Sequence, residues 1–270
     1  MKLPAPAPRG DPAAPARSAS QVIRFRAGKP PAHPDPPPAA PCCDCRLRAL
    51  CLPAGLDDDT LHLIDGMGFT RRRLRCGQAL FREGEPTHFL YAVHSGSFKC
   101  SLMRKDGGEQ VLHFSFPGEL LGRAGRPRGH YATSPVALEE SDACALPLAA
   151  LQALADTSAP WRQVLYRVMS GDIVREYRHA RLLGCAGTEG RVAAFLLELG
   201  GQMEARGYSP REFHMRMSRA EIGSYLGITL ETVSRTLSAF QHEGMLTVQK
   251  RHIRILDEGQ LQRVMQHDGP

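Results

Sequence analysis

The run Ser218-Arg-Ala-Glu-Ile-Gly-Ser-Tyr-Leu-Gly-Ile-Thr-Leu-Glu-Thr-Val-Ser-Arg-Thr-Leu-Ser-Ala-Phe240 decides the fold. Its first four residues make a capping box, Ser218 with Glu221 three positions on, which opens a short helix carrying Ile222, Tyr225 and Leu226. Gly227 supplies a tight turn, and Thr229 is placed to cap a second helix whose inward stripe is Val233, Leu237 and Phe240. That stripe leaves Glu231, Thr232, Ser234 and Arg235 on or near the outer face. Two short helices joined by a glycine turn form a unit whose second helix enters the DNA major groove, its N-terminal side chains meeting base edges.

Downstream of Gly244, Met245-Leu-Thr-Val-Gln249 and Ile253-Arg-Ile-Leu256 flank Lys250 and Arg251, which predicts a hairpin with a cationic tip, a wing. Arg235 can donate two hydrogen bonds to guanine O6 and N7, and Glu231 can accept one from cytosine N4. Any one of these charges alone reads as a solvated helix charge; cap, turn, stripe and wing together read as DNA binding. The chain carries 34 Lys and Arg against 28 Asp and Glu, a net charge of +6, which only ensures that polyanions are not repelled. Distribution says more: the basic residues Arg206, Arg211, Arg216, Arg219, Arg235, Lys250, Arg251 and Arg254 face only four acids, Glu212, Glu221, Glu231 and Glu243.

Working toward the N-terminus, Thr188 to Gln202 reads as a helix with Val192, Phe195, Leu196 and Leu199 inward, ended by Gly200 and Gly201. Before it, Arg162, Tyr166, Met169, Ile173, Glu176, Ala180 and Leu183 recur in alternating steps of four and three, the seam of a helix that pairs with another helix. The plainer reading is a face packed on its own domain. Glu176 favours the seam, because an internal core rarely holds an unpaired carboxylate; two copies meeting there would repel, making dimerisation conditional. Residues 71–148 change to short apolar runs (89–93, 97–103, 110–116) separated by glycines, which predicts an antiparallel roll or barrel. A short amphipathic helix over residues 57–67 carries Leu61, Ile64 and Met67 inward. More than half of the chain's 21 prolines fall in residues 1–41, a composition that predicts a disordered tail. With no apolar span and no secretory pattern, the expected location is the cytoplasm, with no membrane partner. Eight cysteines in a reducing compartment then point to metal or redox chemistry. Three of them, Cys42, Cys45 and Cys51, lie within ten residues, and thiols so placed can face one point.

At Glu231-Thr-Val-Ser-Arg235 the chain resembles the CRP/FNR regulators through their E-x-x-S-R recognition signature, and Tyr208-Ser-Pro-Arg-Glu-Phe213 and residues 241–246 resemble the FNR branch. The likeness runs from about Cys42 to the C-terminus. It implies an α+β chain: an N-terminal double-stranded β-helix (a jelly roll like cyclic-nucleotide-binding domains), a long dimerisation helix and a C-terminal winged helix-turn-helix. It implies that Glu231, Ser234 and Arg235 contact bases in a TTGAT-like half-site of a palindromic operator, with Thr229, Thr232, Lys250 and Arg251 beside them. The expected partition is a tail at 1–41, a cysteine segment at 42–55, the roll at 56–158, the dimerisation helix at 159–186, the DNA-binding domain at 187–264 and a tail at 265–270.

Cys42-x-x-Cys45-x5-Cys51 with Cys144 in Asp142-Ala-Cys-Ala-Leu-Pro147 matches the oxygen-sensing members, and the resemblance implies that these four hold a 4Fe-4S cluster. Thiolates are the ligands such clusters require, and Arg46 and Arg48 would offset the negative charge. A structural zinc site is the competitor, with an effector such as a cyclic nucleotide bound in the roll. Gly118-Glu-Leu120 resembles the cyclic-nucleotide branch, but the Arg expected before a small polar residue or Ala is followed here by Pro127 (after Arg126) or Gly129 (after Arg128). The loop 104–108 faces RNA polymerase in the family and has Gly108 where an acid is common. Cys43 is a possible substitute ligand; Cys76, Cys100 and Cys185 read as ordinary buried thiols, and His88, His94 and His113 as satisfied histidines. No catalytic constellation stands out, so an enzyme, including a thiol redox enzyme, is not expected.

Overall fold

The computed structural model describes residues 41–266 except 124, 127, 128, 185 and 186, and leaves out the side chains of 125 and 126. The expected N-terminal tail up to residue 40, the phosphate-site residues Pro127 and Arg128, Cys185, and residues 267–270 lie outside the described residues.

Helix α1, Asp58–Asp65, starts where Asp57 accepts the Thr60 amide at 2.7 Å, and it buries Leu61 and Ile64. Strands β1 (Thr70–Leu74), β2 (Phe89–Ser95), β3 (Phe98–Met103), β4 (Glu109–Ser115), β5 (Leu120–Leu121), β6 (Gly125–Arg126), β7 (His130–Tyr131), β8 (Ser134–Ala137) and β9 (Ser141–Pro147) follow. They pair as sheets ordered β1-β9-β2-β5 and β4-β3-β8, with β6-β7 as a small ribbon, every pairing antiparallel. Tyr91, Val93, Ala143 and Ala145 from the first sheet bury against Phe98, Cys100 and Ala137 from the second, closing the expected roll. Side chains alternate across a strand, so Ala92, Cys144 and Leu146 lie on the opposite face and join a separate cluster with Leu52, Leu61, Ile64 and Phe69.

Helix α2, Leu148–Thr157, leads to α3, Ala159–Leu183, whose first turn has Ser158 as N-cap and Pro160 inside it. Trp161 is fully buried, and its indole N–H donates to the Leu151 carbonyl at 2.9 Å. Helix α4, Thr188–Glu204, continues through Gly200 and Gly201 instead of ending there. Gly200 has another purpose: it is buried, and a Cβ there would run into the Pro210 carbonyl.

Strand β10 (Glu212–His214), helices α5 (Arg219–Leu226) and α6 (Leu230–His242), strands β11 (Leu246–Gln249) and β12 (His252–Ile255), and α7 (Glu258–Gln266) complete the chain. The capping box at Ser218 and Glu221 is formed in both directions, and Gly227 takes the left-handed conformation (φ +66°) that a glycine adopts without strain. Strand β10 adds to the wing hairpin to give the order β10-β12-β11. The fold is the α+β arrangement of roll, long helix and winged helix-turn-helix. Nothing in the sequence reading anticipates α2, β10 or α7.

The winged helix is not separate from the roll. Strand β4, an edge of its sheet, is covered by α5: the Val111 amide donates to Ser224 Oγ at 2.9 Å, and Ser224 Oγ donates to the Glu109 carbonyl at 3.1 Å. A helix satisfying an exposed edge in this way removes a site for unwanted strand pairing. Phe114 packs on Tyr225 (ring centroids 5.4 Å apart) and Phe195 (6.2 Å), so one apolar cluster spans β4, α4, α5 and α6.

Candidate functional site

Three surfaces carry the residues singled out from the sequence. The first is the outer face of α6. Thr229 caps the helix through the Thr232 amide at 3.2 Å, and the stripe Val233, Leu237 and Phe240 is buried, which forces Glu231 and Arg235 outward into solvent. Thr232 and Ser234 are half-buried at the same end. Arg235 reaches back to Thr232 Oγ1 at 3.4 Å, a long contact that a better acceptor would displace. The backbone amide of Glu231 itself, and then the Thr229 hydroxyl, hold the Glu231 carboxyl below its ordinary value, so it stays an acceptor. At the wing, Lys250 and Arg251 are exposed in the turn between β11 and β12; Lys250 has φ 59°, and Arg251 donates to the Arg216 carbonyl at 3.0 Å.

The second surface is α3. Arg162, Tyr166, Met169, Ile173, Glu176, Ala180 and Leu183 are all exposed, with Tyr166 at 68%, Met169 at 62% and Ile173 at 54%. Packing on the chain's own core is done by Trp161, Val164 and Leu182, on another face. The seam is therefore an uncovered apolar stripe and not part of the chain's own core.

The third is a cavity between the outer face of the β1-β9-β2 sheet and the cysteine segment. Cys42, Cys45, Cys51 and Cys144 all line it, with Ile64, Phe69 and Leu146. Cys42 lies in a 3-10 turn, Cys42–Asp44, fixed by Asp65 at the end of α1, which accepts the amides of Cys42 and of Cys43 (3.3 Å). Cys43 and Arg46 do not line the cavity; Arg48 does, and it pairs with Asp58 at 3.0 Å. Burial pushes the Cys51 thiol up to about 12 and raises Cys42, where Asp65 and the other thiols add to the effect. Burial also raises Cys144, against the opposing pull of Arg71. Thiols so raised stay protonated until a cation draws them out as thiolates. Among the described residues, no three His, Cys, Asp or Glu side chains are gathered tightly enough to hold one metal ion. The four thiols line one cavity without closing on a point.

Two further residues line the same cavity, and neither was singled out as a site residue from the sequence. Arg71 stands directly opposite Cys144 in the β1–β9 register, and its buried Nε has no hydrogen-bond partner among the described residues. His94 is the extra residue of a bulge, where the β2–β9 register slips between Val93 and Ser95; its Nδ1 is likewise buried without a partner among them. The expectation of a satisfied histidine fails there. Burial, then Arg71, lowers the His94 pKa. Of the others, His88 is exposed, and His113 is pushed down to about 3 by burial and then by Arg175 and Arg123. Cys100 is buried as expected, but Cys76 is exposed, because it sits in the turn after β1, where its thiol donates to the Leu138 carbonyl at 3.2 Å.

Residues 190–264 match the model of the Crp-like helix-turn-helix domain, and residues 71–158 that of the cyclic nucleotide-binding domain. The chain is 36% identical over 226 residues to the fumarate and nitrate reduction regulatory protein of Escherichia coli K12, covering 84% of this chain and 90% of that one. It belongs to the CRP/FNR family of transcription regulators. It is 37% identical over 221 residues to the transcriptional regulatory protein btr of Bordetella pertussis, covering 82% of this chain and 91% of the other. Among solved structures, FixK2 from Bradyrhizobium japonicum superposes with a TM-score of 0.66 at 28% identity, over 73% of this chain and 96% of that one. As a CRP/FNR regulator the chain binds DNA, and its relatives are regulators and not enzymes. No helix among the described residues is long and apolar enough to cross a membrane.

Proposed function

We propose that this chain is an oxygen-responsive regulator of anaerobic or microaerobic genes, in which Cys42, Cys45, Cys51 and Cys144 hold a 4Fe-4S cluster. The observation that carries the reading is the common cavity: three thiols from the N-terminal segment and one from β9 line it together, and among the described residues lining it the only charged side chains are Arg48 and Arg71. Such a cluster, when bound, supplies an oxygen-labile inorganic centre whose negative charge those guanidiniums offset. Zinc is less well suited, because four thiolates at roughly 2.3 Å from one ion must close tightly. Four thiolates that hold a cluster need not meet at a single ion.

The cysteine segment bears directly on the seam helix. Arg167 of α3 donates a hydrogen bond to the carbonyl of Ala54, three residues beyond Cys51. A segment held in place by its cysteines therefore positions the N-terminal half of α3. That offsets the repulsion of paired Glu176 carboxylates, so that two chains join along Tyr166, Met169, Ile173 and Ala180, with Arg162 at the start. Released in oxygen, the segment lets the chains part.

The dimer presents two α6 helices to a TTGAT-like palindrome. Glu231, Ser234 and Arg235 read base edges, while Thr229, Thr232, Lys250 and Arg251 hold the backbone; a second half-site raises affinity through effective concentration. The loop 104–108 offers RNA polymerase a contact in the cytoplasm. Metal and sulfide analysis of protein isolated without air is the test. Iron and acid-labile sulfide in equal amounts, with broad visible absorption, is the expected result; colourless protein with stoichiometric zinc overturns it.

A further inference from the structure

We infer that Arg71 and His94 are the hydrogen-bond donors that complete the cysteine cavity, their N–H groups held ready for the sulfur atoms of the bound cluster. The inference rests on the cluster reading above and adds two residues that the cysteine pattern does not contain. Buried polar groups are nearly always satisfied, and one left without a partner calls for an explanation. Here two such groups line one cavity, and it is the cavity that the four cysteines share.

Both positions are set by backbone features. Arg71 pairs across the ladder with Cys144, and Cys144 pairs on its other side with Ala92, so the arginine, the cysteine and the alanine form one row across the outer face of the sheet. Arg71 is thereby fixed beside the fourth cysteine. His94 lies two residues beyond Ala92, on the same outer face, at the bulge where its own backbone drops out of the β2–β9 ladder. Nothing among the described residues accepts from Arg71 Nε or His94 Nδ1. An iron-sulfur centre held by the four cysteines would supply what is lacking: sulfur acceptors, thiolate and sulfide. Hydrogen bonds to those sulfurs stabilise the more reduced, more negative form of a cluster and tune its potential. Removing them makes the cluster easier to oxidise.

The assignment predicts opposite signs in two measurements. With no cluster bound, His94 Nδ1 is an unmet polar atom, so an apolar ring in its place leaves stability unchanged or raises it, whereas Arg71→Met also gives up the guanidinium's contact with Cys144. With the cluster bound, the same replacement removes a bond. Arg71→Met and His94→Phe proteins, purified without air, should carry wild-type iron and sulfide and lose their visible absorption several-fold faster on exposure to air. Cluster-free His94→Phe should melt no lower than cluster-free wild type. Iron-loaded variants with unchanged decay overturn the donor assignment alone, and a cluster-free His94→Phe protein that melts at lower temperature overturns the assignment of His94. Wild-type protein without iron and sulfide overturns the cluster reading itself and the assignment with it.

Discussion

Lys99 in the roll lies 2.9 Å from Glu221 at the start of the helix-turn-helix, while also reaching Glu109 at 2.7 Å. The other oxygen of Glu221 accepts the Ser218 amide and closes the capping box of α5. One carboxylate thus starts the first DNA-binding helix and ties it to the sheet. Burial by itself would raise Glu221, but the Ser218 amide and Lys99 outweigh it and hold the carboxyl below its ordinary 4.5. A carboxyl that is more acidic folded than unfolded adds stability above about 4.5, and that stability is lost as pH falls through the folded value. The protection factors of the α5 amides, exchange rates corrected for the intrinsic pH dependence, should therefore fall below about pH 4.5 in wild type. In Glu221→Gln the acid-dependent part should be missing; an identical pH profile in both proteins refutes the link.

The seam of α3 makes a prediction independent of any cofactor. Ile173 is 54% exposed at its middle, and an aspartate there places like charges face to face when two chains meet. Ile173→Asp should be monomeric under every condition, with an unchanged melting temperature for the monomer. Glu176→Ala should do the reverse and dimerise in air, since it removes the repulsion. Sedimentation velocity reads both; a Glu176→Ala protein that stays monomeric in air counts against conditional pairing.

Arg235 and Lys250 separate sequence reading from simple attraction. Arg235 projects from the N-terminal half of α6, and Lys250 from the tip of the wing. Arg235→Ala should weaken operator binding by about 1–3 kcal/mol and relax the preference at one base pair. Lys250→Ala should weaken all sequences alike and reduce the slope of log K against log salt by about 1. Titrations on matched and mismatched operators at several salt concentrations distinguish the two roles. Equal losses on both operators for Arg235→Ala would remove it from the base-reading set.

The helix-turn-helix is legible in the sequence because its signals are local: a cap three residues from its partner, a glycine at the left-handed turn, and a stripe of period 3.6. The α3 seam is legible for the same reason, as its period exists before any partner does. The four cysteines are legible only through their resemblance to a known pattern, since Cys144 reaches the cavity by strand pairing and not by spacing. Arg71 and His94 escape for that reason too. Nothing local marks an arginine in a run of three as the one facing Cys144, and a bulge is set by register between distant strands. Strand β10 has three residues, too few for alternation to register, and Cys76 is exposed because a turn, not its hydrophobicity, sets its place.

Gly200 and Gly201 make the contrast between local and tertiary signals testable. Read locally, a glycine pair ends a helix; in the fold both lie within α4, which runs on to Glu204. The two then differ only in surroundings. Gly200 is buried, and a Cβ there would press on the Pro210 carbonyl, at the approach to β10 of the DNA-binding sheet. Gly201 is exposed, with nothing within 4 Å of a Cβ. Alanine at Gly201 should therefore stabilise the protein by about 0.5–1 kcal/mol, because glycine is a poor helix former. Alanine at Gly200 gains the same propensity but forces the Pro210 segment outward, a net loss of about 1–3 kcal/mol for an overpacked site. Urea unfolding of the two variants measures both. If the two alanines stabilise equally, the pair has no packing role, and the close approach of α4 to the Pro210 backbone does not constrain this domain.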